Sequence, residues 1–546
     1  MTKASDKGIC GLSAHDGLWR AVAGLLGLAA ILLVFYATSG YGINVSSDSV
    51  AYIAAADSFA QGKGFLTCEE IYFALWPPMY PIILSISHLL GVTTYCFARC
   101  LSAFMFGALV VMTAWVLHKA VRCWLAGAIG ALCLLVSGVM AVYLMAWSET
   151  VFNLLALIVL YLVHRSCVSA SLKPFICAAL ATMIACVTRY VGVTLVLTAG
   201  LMIITDSRLS FGKRIARGVV FGLISLLPFI AWIVRNALLT GLLTGERYRS
   251  TDTLFLCTAN LSRNLVSWLL PFIDSVTSVE HSFLSNLSMI IGLVIILAVL
   301  GIIIWHCMRF SGAKRMRHPL TPFIVFIPVY AVYLTLSSWK TALDPIDRRY
   351  VSPLYAPVII VVAGFLCELA WGGLGALGSA ITHPRLLKFV RGVIVCFAVL
   401  WLMLNVARAA KVTRDARLTG RGGGACGYTD KGWVDSEIMH YLKTNPPAPL
   451  LITNEPPALY ANFGWTSRMA PKKTLYRGVE YIGDESIAKL KEAINKREEA
   501  HIVWFDFSPV NYLFTPNEMK EHFDIQPVRL LKDGGVYRIR DRQKNS

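Results

Sequence analysis

The run RAVAGLLGLAAILLVFYAT, residues 20–38, decides the class of this chain, and SSDSVAYIAAADSFAQGKGF, residues 46–65, follows it closely. A helix of roughly 20 apolar residues crosses a hydrocarbon core about 30 Å thick, and this run is charged only at its first residue. Lys3 and Lys7 precede it, Arg20 opens it, and no small-residue cleavage site follows. It therefore reads as a retained helix with a cytoplasmic N-terminus rather than a removed signal peptide. The second stretch then places an acid, Asp48, at the mouth of that span, ahead of a cluster ending WPPMYP (76–81).

The rest of the chain repeats the pattern. Of 546 residues, 56% are hydrophobic and 15% charged, with a mean hydropathy of +0.61. That excludes a soluble protein of this size and predicts an α-helical polytopic membrane protein. Eleven spans are expected, near 20–38, 97–117, 123–144, 150–164, 174–188, 191–205, 218–238, 286–306, 321–338, 351–370 and 392–409.

The distribution of Lys and Arg supports this alternation, because cytoplasmic connections carry the positive excess. Lys119 and Arg122; Arg165 and Lys173; Arg208, Lys213, Arg214 and Arg217; Arg309, Lys314, Arg315 and Arg317; and Arg385, Lys388 and Arg391 all fall on every second connection. Pro81–Leu90 is apolar but too short to cross, and reads as a re-entrant or interfacial helix. Counting it as a span would turn every basic cluster outward.

The expected organisation is a cytoplasmic segment 1–19, a transmembrane part 20–410 with a long first outer loop 39–96, a Gly-rich linker 411–432, and a small extracytoplasmic α/β domain 433–546. PLLITNEP, AHIVWFDF and GGVYRIR read as its strands and SIAKLKEAINKREEA as a helix. A multi-pass protein of an inner or plasma membrane, or of the ER, follows.

The net charge of +18 reflects orientation and anionic lipid headgroups rather than nucleic acid. No phosphate-binding GxxxxGK[ST] loop or dinucleotide fingerprint occurs. Most cysteines lie inside spans as small apolar residues; only Cys68, Cys257 and Cys426 lie outside, and no pair has zinc-ligand spacing.

Ionisable groups at membrane depth are costly and point to function. Asp48 reads either as the N-cap of the next helix or as a base, and one residue can be both. That helix carries Tyr52 and Phe59 on one stripe with Asp57 beside it, as a segment lying along the interface would. Glu149, in MAWSETVFNLL, stands at the mouth where the third and fourth spans meet, with a helix cap as the plainer reading. Arg189 in VTRYVG, Arg235 in WIVRNALLTG, Arg247 and Arg249 in GERYRS, and Arg348 and Arg349 beside Tyr350 in DPIDRRYVSPLYAP face outward. A single one is usually a snorkelling anchor, but six on one face run against the orientation bias, and Arg suits bidentate phosphate binding.

Taken together, Asp48 with its following helix, WPPMYP, SET, TRYVG, WIVRN and DRRYVSPLYAP resemble the GT-C fold glycosyltransferases that use lipid-phosphosugars, nearest to the protein O-mannosyltransferases and the aminoarabinose transferase of lipid A. The likeness is distributed over residues 18 to 410. It implies transfer of a hexosyl or pentosyl group from a polyprenyl- or dolichyl-phosphate donor to a glycan, lipid or protein acceptor on the non-cytoplasmic face, with inversion. It implies that Asp48 and Glu149 are catalytic, with Asp48 the acceptor-activating base. It assigns Arg189, Arg235, Arg348 and Arg349 to the donor phosphate, and Tyr52, Asp57, Arg247, Arg249 and Tyr350 to donor or acceptor loops. No cofactor is assigned. A divalent metal is left open, because some relatives carry an Asp-Glu pair where this chain has Asp48-Ser49. A transporter, or a non-catalytic cell-envelope assembly protein, is the alternative. The distinguishing observation is whether Asp48, Glu149 and the outer arginines share one cavity.

Overall fold

The computed structural model of the chain describes residues 16–542 apart from 170, 270–282, 311, 343, 369–383, 422–426, 475–479, 497–498 and 509. Lys3, Lys7, Cys426 and the glycine run of the predicted linker lie outside the described residues.

Apolar chain in hydrocarbon satisfies its backbone internally by forming helix. The helices are α1 (Asp16–Ala37), α2 (Ser47–Ala60), α3 (Met79–Leu89), α4 (Thr94–Val121), α5 (Trp124–Leu135), α6 (Glu149–Val168), α7 (Lys173–Thr188), α8 (Val193–Ile204), α9 (Phe211–Thr240), α10 (Leu254–Leu269), α11 (Phe283–Arg309), α12 (Gly312–Arg317), α13 (Thr321–Lys340), α14 (Arg348–Val351) and α15 (Tyr355–Glu368), and then Pro384–Thr419. Seven helices among the described residues are long and apolar enough to cross a membrane. The number is eight if α5 and the turn Gly138–Leu144, which meet at 58°, form one broken span. α3, α7 and Tyr190–Ile204 are apolar but shorter.

α1 and α4 pack through glycines: a Cβ on Gly107 would lie 2.8 Å from the Gly27 carbonyl, so only small residues permit this approach. Arg99 of α4 closes the same contact, donating to the Thr38 hydroxyl at 2.7 Å and the Phe35 carbonyl at 2.8 Å. α6 runs for 20 residues, about 30 Å at 1.5 Å per residue, and α7 returns. Arg165 and Lys173 therefore stand at the end opposite Glu149 and Arg189.

α2 is not the surface helix its aromatic stripe implied. Residues Ser49–Ala56 are all buried, because its small residues let neighbours close in on every side. Phe73, Trp76 and Tyr80 pack edge-on around Tyr52, with centroids 6.0, 5.6 and 5.1 Å away.

The tail forms a five-stranded mixed sheet in the order β2-β1-β3-β5-β4, from β1 (Leu450–Thr453), β2 (Arg468–Met469), β3 (Ala500–Phe505), β4 (Phe523–Leu531) and β5 (Gly534–Asp541). β2, β1 and β3 are parallel and β5 and β4 antiparallel. The three predicted strands and the helix Gly483–Asn495 are present; β4 and β2 were not legible in the pattern. The preceding helix continues to Thr419, so the first part of the predicted linker is helical. The sheet unit sits on the first loop. Tyr428 donates its N–H to the Val45 carbonyl at 2.9 Å and Ser467 donates to that of Cys68 at 3.1 Å. Met469 N–H reaches Glu69 at 3.3 Å.

Candidate active site

Four breaks in the helical chain supply the site. In the first, Ser46 caps α2, its hydroxyl accepting from the Ser49 N–H at 3.4 Å. Asp48 is thus not the cap; it lies in the first turn, where the helix dipole favours a carboxylate. In the second, the chain leaves the bend after α5 and pairs with the first loop. Asn44 N–H donates to the Leu144 carbonyl, and Ala146 N–H donates back to that of Asn44, both at 3.0 Å. This short ladder sets Glu149, at the start of α6, beside Asp48.

The third break separates α7 from α8. Arg189 has extended backbone (φ −148°, ψ 139°), and the chain turns tightly through Tyr190–Gly192 before α8 begins. Gly192 lies so close to Ala185 that a Cβ would come within 2.7 Å of its backbone. In the fourth, Asp347 caps α14, accepting from the N–H groups of Arg349 at 2.9 Å and Tyr350 at 3.2 Å.

These breaks converge on one ion-pair chain. Glu149 is fully buried; its Oε1 accepts from Nε of Arg349 and forms an ion pair with Nη1 of Arg189. Nη2 of Arg349 lies 2.5 Å from Oδ2 of Asp48. Trp147 supports the Arg349 guanidinium 4.7 Å from its ring centre and donates its own Nε1–H to Ser46 at 2.7 Å. Arg189 also donates to the Ser148 hydroxyl at 3.1 Å, which meets the Tyr52 hydroxyl at 3.2 Å. Tyr52 follows Asp48 by one helical turn, so the chain of contacts closes into a ring. Burial, and after it the Asp48 charge, push the Tyr52 hydroxyl well above its ordinary range, which keeps it a neutral hydrogen-bonding group.

Asp48, Tyr52, Arg189, Arg247, Arg349 and Tyr350 line one cavity of about 360 Å³, the size of a small-ligand site. Glu149 stands directly behind it. Trp76, Tyr190, Phe229, Tyr330 and Tyr333 supply aromatic wall. Of these, Trp76 and Tyr190 belonged to the quoted motifs; the others carried no signal beyond being aromatic in apolar helices. Arg247 donates to the Leu75 carbonyl at 3.0 Å and lies 5.6 Å from the centre of Tyr190. Among the described residues it has no carboxylate partner, whereas Arg189 and Arg349 are both held by acids.

The other predicted residues lie elsewhere. Arg235 donates to the Phe73 carbonyl at 3.0 Å and sits 4.5 Å from the centre of Trp232. With Asn236, which donates to the Ala74 carbonyl at 3.3 Å, it clamps the loop before WPPMYP. Arg249 is part of a short pairing with Thr341 that brings the Arg247 loop to the end of α13. Neither Arg249 nor Arg348 lines the cavity. Asp57 faces the tail unit: it accepts from Thr94 at 2.6 Å and from Tyr460 at 2.9 Å, and pairs with His88 at 2.8 Å. A divalent cation does not fit this donor set. Both acids are engaged by guanidinium groups, and no cluster of three His, Cys, Asp or Glu suited to a metal occurs among the described residues.

No family model matches the sequence, and no curated protein matches it by sequence similarity. Solved structures do match by shape. ArnT from Cupriavidus metallidurans bound to undecaprenyl phosphate aligns over 94% of this chain and 97% of its own, at 14% identity and a TM-score of 0.58. The oligosaccharyltransferase of Archaeoglobus fulgidus, in a complex with Zn and sulfate, aligns over 95% and 72%, at 10% identity and 0.52. The arabinofuranosyltransferase AftD from Mycobacteria aligns over 95% and 41%, at 14% identity and 0.50. Mostly helical, with seven or more candidate spans and a small sheet unit, this chain has the GT-C glycosyltransferase fold that these neighbours share.

Proposed function

We propose that the protein is a lipid-phosphosugar-dependent glycosyltransferase, acting on the non-cytoplasmic face of its membrane. The observation that carries the reading is one carboxylate, Asp48, facing a cavity that also presents three guanidinium groups. A polyprenyl phosphate is an anion and a good leaving group, so the reaction needs a base, alignment and stabilisation of the departing charge. The basic connections at the opposite ends of the spans support this face.

In this reading the acceptor hydroxyl gives its proton to Asp48 while its oxygen bonds to the anomeric carbon. The bond from that carbon to the phosphate oxygen breaks on the far side, and the pair of electrons leaves with the polyprenyl monophosphate. The sugar is inverted, since Glu149 is sealed behind the arginines and, among the described residues, Asp48 is the one carboxylate that lines the cavity, leaving none opposite it to form a covalent intermediate. Arg247 takes the phosphate at the mouth. Arg189 and Arg349 stabilise its charge as the bond breaks, and the aromatic wall holds the sugar and first isoprene units.

The test is to incubate the purified full-length protein with a panel of radiolabelled polyprenyl-phosphate sugars and acceptor glycans, lipids and peptides. Release of polyprenyl monophosphate with at least one donor is expected, slowed by roughly 10²–10⁴ with Asp48→Asn. Transfer undiminished in that variant removes Asp48 from the chemistry.

A further inference from the structure

Arg349 is the residue through which the two acids of the site are connected. Its anchor does not depend on Asp48: Nε is on buried Glu149, the plane rests over Trp147, and its backbone N–H is capped by Asp347 at 2.9 Å. Asp48 is the more exposed side of the pair, on the cavity wall with 23% of its side chain exposed against 10% for Arg349. Nη1 of Arg349 makes no hydrogen bond within the protein among the described residues. The Nη1 and Nη2 edge of a guanidinium is the fork that matches two oxygens of a phosphate, and Asp48 occupies half of it.

We propose that the Asp48–Arg349 pair is a latch opened by the donor. A phosphate entering the cavity takes the Nη1–Nη2 edge of Arg349 and displaces Oδ2 of Asp48, while Glu149 keeps the guanidinium in place. The inference rests on the transferase reading above and adds to it a coupling: the base is released only where a donor phosphate is seated. In the empty site Oδ2 of Asp48 is held by Arg349. Because the carboxylate and the phosphate compete for one edge, each weakens the binding of the other by the same factor.

The competition is measured by binding alone. Full-length protein in detergent is titrated with undecaprenyl phosphate, with the phosphate-free polyprenol as control. Asp48→Asn is expected to bind the phosphate tighter, on the order of tenfold, the worth of one charged hydrogen bond, with the polyprenol unaffected. In an Arg349→Gln background the same change is expected to give no gain, and in an Arg247→Gln background the gain is expected to persist. Should Arg349→Gln not fold, Arg349→Met replaces it in the cycle. Unchanged or weaker binding by Asp48→Asn overturns the latch, and so does an equal gain with and without Arg349, which would be general electrostatics. Failure of the unaltered protein to bind undecaprenyl phosphate at all would instead count against the transferase reading.

Discussion

Nε of Arg349 donates to Oε1 of Glu149, a partner 200 positions earlier in the chain, and the same oxygen receives Nη1 of Arg189. One buried carboxylate therefore fixes two of the three guanidinium groups that face the cavity. Glu149→Leu would leave both arginines buried with a partner missing, which costs about 3–5 kcal/mol. A fall in thermal stability of the purified protein is expected, with loss of transfer; a variant as stable as the parent would show that the arginines find water or other partners.

Asp48→Asn leaves Arg349 its bond to Glu149, so little stability is at stake. The rate of transfer is expected to fall by roughly 10²–10⁴, the usual contribution of a positioned base, while the melting temperature stays within the scatter of the parent. Comparing single-turnover rates with melting curves separates the two effects.

Arg247 is held by carbonyls and rings rather than by acids. Arg247→Ala is expected to raise KM for the donor by about 10–100-fold, as loss of a charge-assisted hydrogen bond does, with a smaller change in kcat. Arg235→Ala, whose parent side chain clamps the first loop away from the cavity, should instead lower stability and leave KM for the donor nearly unchanged in the folded fraction.

Gly192 allows the tight turn that presents Arg189. Gly192→Ala would set a methyl group 2.7 Å from the Ala185 backbone, so the chain must shift at a cost of about 1–3 kcal/mol. Reduced thermal stability and weaker transfer are expected together, and Gly200→Ala in α8, where nothing lies within 4 Å of the added Cβ, is the neutral control.

The sheet unit carries a pH dependence of unusual sign. Burial raises the Glu455 carboxyl above its ordinary 4.5, against the hydrogen bonds it accepts from Ser508 and Tyr428. The folded chain therefore binds this proton more tightly than the unfolded one. Its contribution to stability is fully present below about 4.5 and is lost as pH rises through the raised folded value. Protease cleavage within the tail of the intact protein is expected to accelerate as pH rises above the ordinary carboxylate value of 4.5, and less steeply for Glu455→Gln. Equal slopes would remove Glu455 as the cause.

Local composition was enough for the membrane class and the mostly helical fold, because a bilayer acts on each segment separately, through its apolar length and flanking charge. It also singled out Asp48, Glu149, Arg189 and Arg349 as candidates, since all sit at helix ends where charge is costly, and the structure brings these four together. Which of them touch was decided only by the tertiary structure. The Asp48–Arg349 and Glu149–Arg349 contacts join positions far apart in the chain, and they depend on the rotation of each helix and on the breaks at Ser46, at the bend after α5, at Arg189 and at Asp347. The same geometry took Asp57 to the tail unit and Arg235 to the first-loop clamp, although their sequence contexts were indistinguishable from those of the residues that reached the cavity. It also made Ser46, not Asp48, the cap of α2 and left Asp48 free to meet an arginine, because one hydroxyl at the helix entrance had already satisfied the backbone.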